Sequence, residues 1–231
     1  MTTSPRPDRL SGTRQPALLL GPVEYSRMYQ DQLNSVLRLY FSQIDAQSSA
    51  LLENVGGRFL GSPHGSFYDT TTQSDGINTP NAVQFNSTVA ENTIGISVGN
   101  DLSNNPTRIT TAYKGQYNFQ FSFQLENTSN AQHEVGVWAR INGVDVPNTN
   151  TVITVPARKS ASIYGYAVAA WNLVFTMEVD DYLELMWATN STSVTIPYIP
   201  AWTSITPSTP YIRPATPSAI MTVSFLSSVP A

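Results

Sequence analysis

Between Ala112 and Asn127 the chain reads A-Y-K-G-Q-Y-N-F-Q-F-S-F-Q-L-E-N, with Tyr117, Phe119, Phe121, Phe123 and Leu125 on one parity and Gln116, Asn118, Gln120, Ser122 and Gln124 on the other. Strict alternation marks a strand with one face in a core and one polar face. A helix would scatter these rings around its circumference. Burying each large side chain is worth about 1.5–3 kcal/mol, so this stretch is expected to be the central strand of a sheet sandwich.

Shorter candidate strands recur around it: Ser66–Thr72, Ala82–Thr88, Thr93–Val98, Thr107–Tyr113, Glu134–Ile141, Val144–Val155, Ala167–Val179, Tyr182–Thr189, Ser193–Tyr198 and Ala219–Ser227. Asn142-Gly143, set between A-R-I and V-D-V, predicts a two-residue hairpin, because both residues tolerate positive φ. Asp180-Asp181 predicts a second hairpin, with Trp171, Leu173, Phe175, Met177 and Val179 on one parity before it and Leu183, Leu185 and Trp187 after it. About ten short strands with no helices between them predict a mainly β, antiparallel sandwich or barrel. The last strand is too apolar for an exposed edge, which places it inside a sheet.

The period changes near the front of the chain. From about Tyr25 to Asn54 there is neither Pro nor Gly, and Gly56-Gly57 ends the run. Leu33, Leu37, Tyr40, Ile44 and Leu51, with Gln30 and Gln47 at the polar steps, fit a and d positions of a heptad pattern. Val36, Leu39, Phe41 and Leu52 widen the stripe, so an amphipathic helix lying on its own domain is the alternative. A short parallel self-associating bundle is favoured, because an isolated helix of this length is marginal in water.

These boundaries divide the chain into residues 1–24, residues 25–55 and residues 56–231. The first segment is rich in Pro, Ser, Thr and Arg and is either a flexible tail or an extended arm docking on another protein, with Leu18, Leu19 and Leu20 as its apolar anchor. Near the far end, six prolines between Pro197 and Pro217 predict a stiff extended loop barred from a central sheet position. Its Tyr198, Trp202 and Tyr211 are candidate stacking faces for a glycan; an arm around a neighbour and a plain connection are the alternatives.

Composition narrows the function classes. Charged residues are 12% of the chain, about half the usual share, and polarity comes instead from Asn, Gln, Ser and Thr. A net charge of −4 lacks the basic footprint of a nucleic-acid binder. The absence of cysteine rules out disulfides and thiolate metal sites, leaving oligomerisation as the available staple. Ala17–Leu20 is too short for a secretory leader, and no run is long enough for a membrane span, so folding in a cytoplasm without membrane insertion is expected. The N-x-S/T patterns at Asn86, Asn127 and Asn190 are read as chance in so Asn- and Thr-rich a chain.

Candidate chemistry is sparse. His64 and His133 are the two histidines, and neither stands in a metal-ligand spacing. There is no nucleophile elbow and no phosphate-binding glycine loop. Asp180 and Asp181 are explained by their turn, and Glu178 and Glu184 by strand edges. Calcium binding by Asp145, Asp180 or Asp181 would rest on too few ligands. Neither a cofactor nor an enzyme activity is expected; the least favoured alternative is a polysaccharide-degrading enzyme, since carboxylate pairs can hydrolyse glycosides.

The order of these features resembles a known superfamily. G-S-F-Y-D-T-T at Gly65, then K-G-Q-Y-N-F-Q-F-S-F, V-W-A-R-I-N-G-V, a long apolar strand and D-D-Y-L-E-L-M-W are similar to the trimeric jelly roll of the complement globular head and tumour necrosis factor. Asp181 departs from that superfamily's usual glycine–aspartate order. L-N-S-V-L-R-L-Y-F-S-Q-I-D, V-W-A-R-I-N-G-V-D-V-P-N-T, A-W-N-L-V-F and L-E-L-M-W extend the likeness, over nearly everything after residue 25, to small virion proteins of tailed bacteriophages, especially marine and cyanobacterial ones. The resemblance implies a homotrimeric fibre or decoration component of the virion, on head or tail. It would assemble in the host bacterial cytoplasm, held to other virion proteins by residues 1–24, with its jelly roll facing outward for contact with the host.

Overall fold

In the computed structural model, residues 16–18, 24–52, 62–203 and 212–228 are described, without the side chains of 49–52 and Thr203. The chain divides into two compact units, residues 1–58 with 230–231 and residues 59–229.

Within the first unit, α1 (Arg27–Leu52) begins where the Ser26 hydroxyl accepts the Tyr29 N–H at 3.3 Å, a capping bond that satisfies one of the orphan donors of a helix start. The half-covered positions between 27 and 48 are Tyr29, Leu33, Leu37, Tyr40, Ile44 and Gln47, and no side chain there is buried. Leu33, Leu37, Tyr40 and Ile44 thus share the expected stripe. The helical span also contains Leu51, whose side chain lies outside the described residues. Leu39 and Phe41 are more than half exposed. Among the described residues no helix is long and apolar enough to cross a membrane.

Among its described residues the second unit carries ten strands of three or more residues: β1 (His64–Tyr68), β2 (Ile96–Asn100), β3 (Pro106–Thr111), β4 (Gly115–Asn127), β5 (His133–Ile141), β6 (Thr151–Val155), β7 (Gly165–Met177), β8 (Tyr182–Thr189), β9 (Val194–Ile196) and β10 (Ala219–Ser227). They form two antiparallel sheets. One runs β7-β4-β10-β1, with β9 taking up the β10 edge of β4 at Glu126 and Asn127. The other runs β6-β5-β8-β3-β2. Two-residue ladders extend them: Gln73–Ser74 beyond β9, Asn81–Ala82 beside β8, Ser87–Thr88 beside β1 and Val144–Asp145 beside β5.

β4 is the central strand its alternation predicts. Tyr117, Phe119, Phe121, Phe123 and Leu125 are all buried and join Val135, Val137 and Ala139 of β5 and Leu183, Leu185 and Trp187 of β8 in one core. Phe121 meets Trp171 edge-on at 4.6 Å between ring centroids, and Tyr117 meets Phe225 likewise at 5.4 Å, geometries that suit the ring quadrupoles. β10 lies between β1 and β4, inside the sheet as expected. The Asn142-Gly143 hairpin forms with φ of 50° and 79° and pairs Ile141 with Val144.

The second predicted hairpin does not form. β7 pairs with β4 in one sheet and β8 with β5 and β3 in the other, so Asp180-Asp181 is a crossover between sheets. The turn itself is tight, with Asp180 at φ 63° and the Asp181 carboxylate accepting the Glu178 N–H at 2.7 Å. It is tied to the end of β3 by Asp180 N–H to Thr111 O and Thr111 N–H to Asp181 O. Both flanking strands carry an apolar parity because they face each other across the core. Val179 lies past the end of β7 and is exposed.

Other boundaries shift for local reasons. β1 stops at Tyr68 because the buried Asp69 carboxylate captures the Thr71 N–H at 2.6 Å and the Asn86 N–H at 3.3 Å, an alternative to the ladder open to short polar side chains. The expected strand Ala82–Thr88 keeps its alternation, with Val83 and Phe85 buried, yet its N–H groups go to Leu185 O and Pro106 O in turn. Val144–Val155 is interrupted between Asp145 and Thr151, where Asn148 adopts φ 63°. Gly165 opens β7 because a Cβ there would sit 1.9 Å from the Pro156 carbonyl oxygen.

Tyr117 sets an alkaline limit. Burial, with Tyr113 nearby, pushes its phenol up from 10.0 to about 12, and its O–H donates to Tyr113 O at 2.7 Å. Because the folded-state value is the higher, its stabilising contribution is fully present below pH 10 and lost as pH climbs through about 12. Unfolding followed by circular dichroism is expected to begin in that window, together with tyrosinate absorbance. Tyr117→Phe should move the onset to higher pH, and an unchanged onset would contradict the assignment to Tyr117.

Candidate functional site

The two histidines are placed apart. His64 opens β1 and its Nδ1 lies 2.7 Å from Ser62 O. His133 opens β5, and its Nε2 lies 2.9 Å from Ser129 Oγ, four residues earlier in the same turn. The Ser129 hydroxyl also lies 3.0 Å from Ala131 O, which marks the contact as turn chemistry.

Four of the acidic side chains are likewise engaged. The Asp145 carboxylate accepts the Arg140 Nε–H at 2.8 Å and the Trp138 Nε1–H at 2.9 Å, and these bonds hold its carboxyl below the usual range. Asp181 accepts the Asn142 amide at 2.6 Å. Glu178 pairs with Lys114 at 3.0 Å, and buried Glu184 meets Thr107 Oγ1 at 3.3 Å and Arg108 Nε at 3.5 Å. Among the described residues no three His, Asp or Glu side chains gather to hold a metal ion.

The aromatic candidates of the proline-rich loop do not share one environment. Trp202–Thr203 pairs with Ile212–Arg213 in a small separate ladder, joined by an Ile199–Thr216 bridge. Trp202 is 47% exposed, and the Arg213 guanidinium stands 6.0 Å from its ring centroid, so one ring face is already met by a cation. Tyr198 is half-buried, and its N–H donates to Thr72 Oγ1 at 3.0 Å. Tyr211 lies outside the described residues.

Of the arm residues, Leu18 is described and Leu19 and Leu20 are not. Leu18 is 51% exposed and with Ala17 borders a small apolar cavity against Tyr29, Leu33 and Val36 of α1.

Two surface features gather residues that sequence reasoning did not join. The first is the outer face of the β7-β4-β10-β1 sheet. There the polar parity of β4 forms side-chain ladders: Asn172 to Asn118 at 3.2 Å, Thr222 to Gln120 at 3.5 Å and Ser227 to Gln116 at 3.2 Å. Val168, Val174 and Ile220 stand exposed among them, and the Tyr166 O–H donates to Glu126 at 2.8 Å. The second is a polar groove of about 360 Å³ where residues 71–74 approach Asn81, Gln84, Asp101, Asn105 and Thr107 beside Trp187. Its members come from four separate stretches and all but Asp101 are neutral residue types, a pattern without a one-dimensional signature.

No protein-family model and no curated protein matches the chain.

Proposed function

We propose that this chain is a structural virion protein of a tailed bacteriophage, a homotrimeric fibre or decoration component of head or tail. Its arm, residues 1–24, holds it to other virion proteins. Its helix joins three copies, and its sandwich faces outward for contact with the host. No catalytic step belongs to this role.

The observation that carries the proposal is the capped helix of 26 residues whose heptad stripe has no buried side chain among residues 27–48. Such a stripe calls for other helices to cover it. The sandwich supports the finer architecture, a jelly roll. β1, β10, β4 and β7 with β9 on one side and β2, β3, β8, β5 and β6 on the other give two antiparallel layers around one core, the two-layer arrangement that a double-sheet jelly roll requires. The outer face of β4 and its neighbours adds a surface of amides, hydroxyls and exposed Val168, Val174 and Ile220. Depletion of charge is typical of the core of a contact between proteins.

Carbohydrate recognition through Tyr198, Trp202 and Tyr211 is the second reading, favoured by the half-exposed Trp202 ring.

Mass spectrometry of purified particles from the virus that carries this coding sequence tests the virion role. The chain is expected among the particle proteins in multiples of three, and its absence from intact particles would end the proposal.

A further inference from the structure

We propose that the polar groove beside Trp187 is a binding site for a neutral saccharide, held by the side chains of Ser74, Asn81, Gln84 and Asn105. The inference stands whether or not the chain is a virion protein, and it concerns residues separate from the proline-rich loop's aromatic ladder.

The groove walls are fixed by bonds that leave other groups over. Gln73 acts as a clamp: its Nε2 donates to Gln84 O at 3.1 Å and Ser218 Oγ at 3.3 Å, while its Oε1 accepts the Gln84 N–H at 2.9 Å. On the opposite wall the Asp101 carboxylate accepts the Ser103 N–H at 2.8 Å, the Asn105 N–H at 2.9 Å and the Asn105 amide at 3.4 Å. Thr72 is tied to the backbone of Tyr198 at 3.0 Å. The Asn81 amide nitrogen donates to Asp75. Each anchored group keeps a second capacity: the Oδ1 of Asn105, the Oδ1 of Asn81 and the Thr72 hydroxyl proton. The Ser74 hydroxyl and the Gln84 side-chain amide border the same space.

These groups select the ligand's chemistry. Three amides and two hydroxyls offer donors and acceptors without net charge. Asp101 is the one ionisable residue bordering the space. Burial pushes its carboxyl up, but the bonds from Asn105 and Ser103 outweigh that and hold it ionised, and it gives an anion nothing to pair with. An apolar ligand would strand the amides without partners, at a cost of about 1–3 kcal/mol each. Vicinal hydroxyls of a sugar match side-chain amides, which present a donor and an acceptor side by side. At about 360 Å³ the space falls at the small end of ligand sites, which run to roughly 300–1,000 Å³, enough for a mono- or disaccharide.

The test uses the full-length chain, isotope-labelled, titrated with methyl α-D-glucopyranoside, methyl α-D-mannopyranoside, methyl β-D-galactopyranoside and, as a charged control, glucuronic acid. At least one neutral glycoside should shift the amide resonances of Ser74, Gln84 and Asn105 saturably in the millimolar range. Gln84→Ala, which removes a side chain with no hydrogen-bond partner among the described residues, should weaken that response at least fivefold, and Trp202→Ala should leave it unchanged. No saturable response to any neutral glycoside would overturn the site. So would a response lost in Trp202→Ala but kept in Gln84→Ala, or a preference for glucuronic acid.

Discussion

Replacing Phe119 by alanine is expected to cost the sandwich about 3–5 kcal/mol. Phe119 is fully buried on the middle of β4, between the paired strands β7 and β10, and its ring lies 6.1 Å from that of Phe175. Both neighbours are held in register by their own ladders, so the surroundings cannot collapse into the space the ring leaves. For a domain of this size the loss corresponds to a fall in Tm on the order of 10 °C. Gln120→Ala, one residue along and on the outward face, should change Tm by less than about a quarter of that, as surface substitutions do. Equal effects at the two positions in a thermal melt would contradict the inward–outward assignment of β4.

Leu37→Glu combined with Ile44→Glu is expected to abolish the proposed trimer. Both side chains lie on the half-covered stripe of α1, in successive layers of the same heptad position. Losing two such apolar side chains from each of three helices removes roughly 9–18 kcal/mol per trimer, and three carboxylates facing one another in each layer add repulsion. The variant should sediment as a single chain, lose helical ellipticity because the freed helix is marginal alone, and keep its β signal. Met28→Glu, at an exposed helix position, serves as the control and should remain trimeric. A doubly substituted chain that still sediments as three copies would remove the helix from the assembly.

The features legible in the sequence are those whose cause is local. β4 was legible because period-two alternation over 13 residues has one structural meaning. The Asn142-Gly143 turn was legible because few residues accept two consecutive positive φ values. Asp180-Asp181 shows where local pattern stops: it signals a turn, but the choice of sheet for the next strand depends on Thr111, about 70 residues earlier in the chain and bonded to the turn at both Asp180 and Asp181. Asp69 shows a second limit, since Thr70–Thr72 have strand propensity and a buried carboxylate overrides it. The groove was illegible for a third reason. Gln, Asn and Ser are so frequent in this chain that only the fold distinguishes Gln84 and Asn105 from the other amides on the surface.

The account depends most on self-association, and sedimentation equilibrium of the intact chain at micromolar concentration measures it directly. Three times the 25.3 kDa chain mass, unchanged on dilution through the micromolar range, is the expected result. A species of one chain mass across that range, with α1 helical all the same, would contradict it.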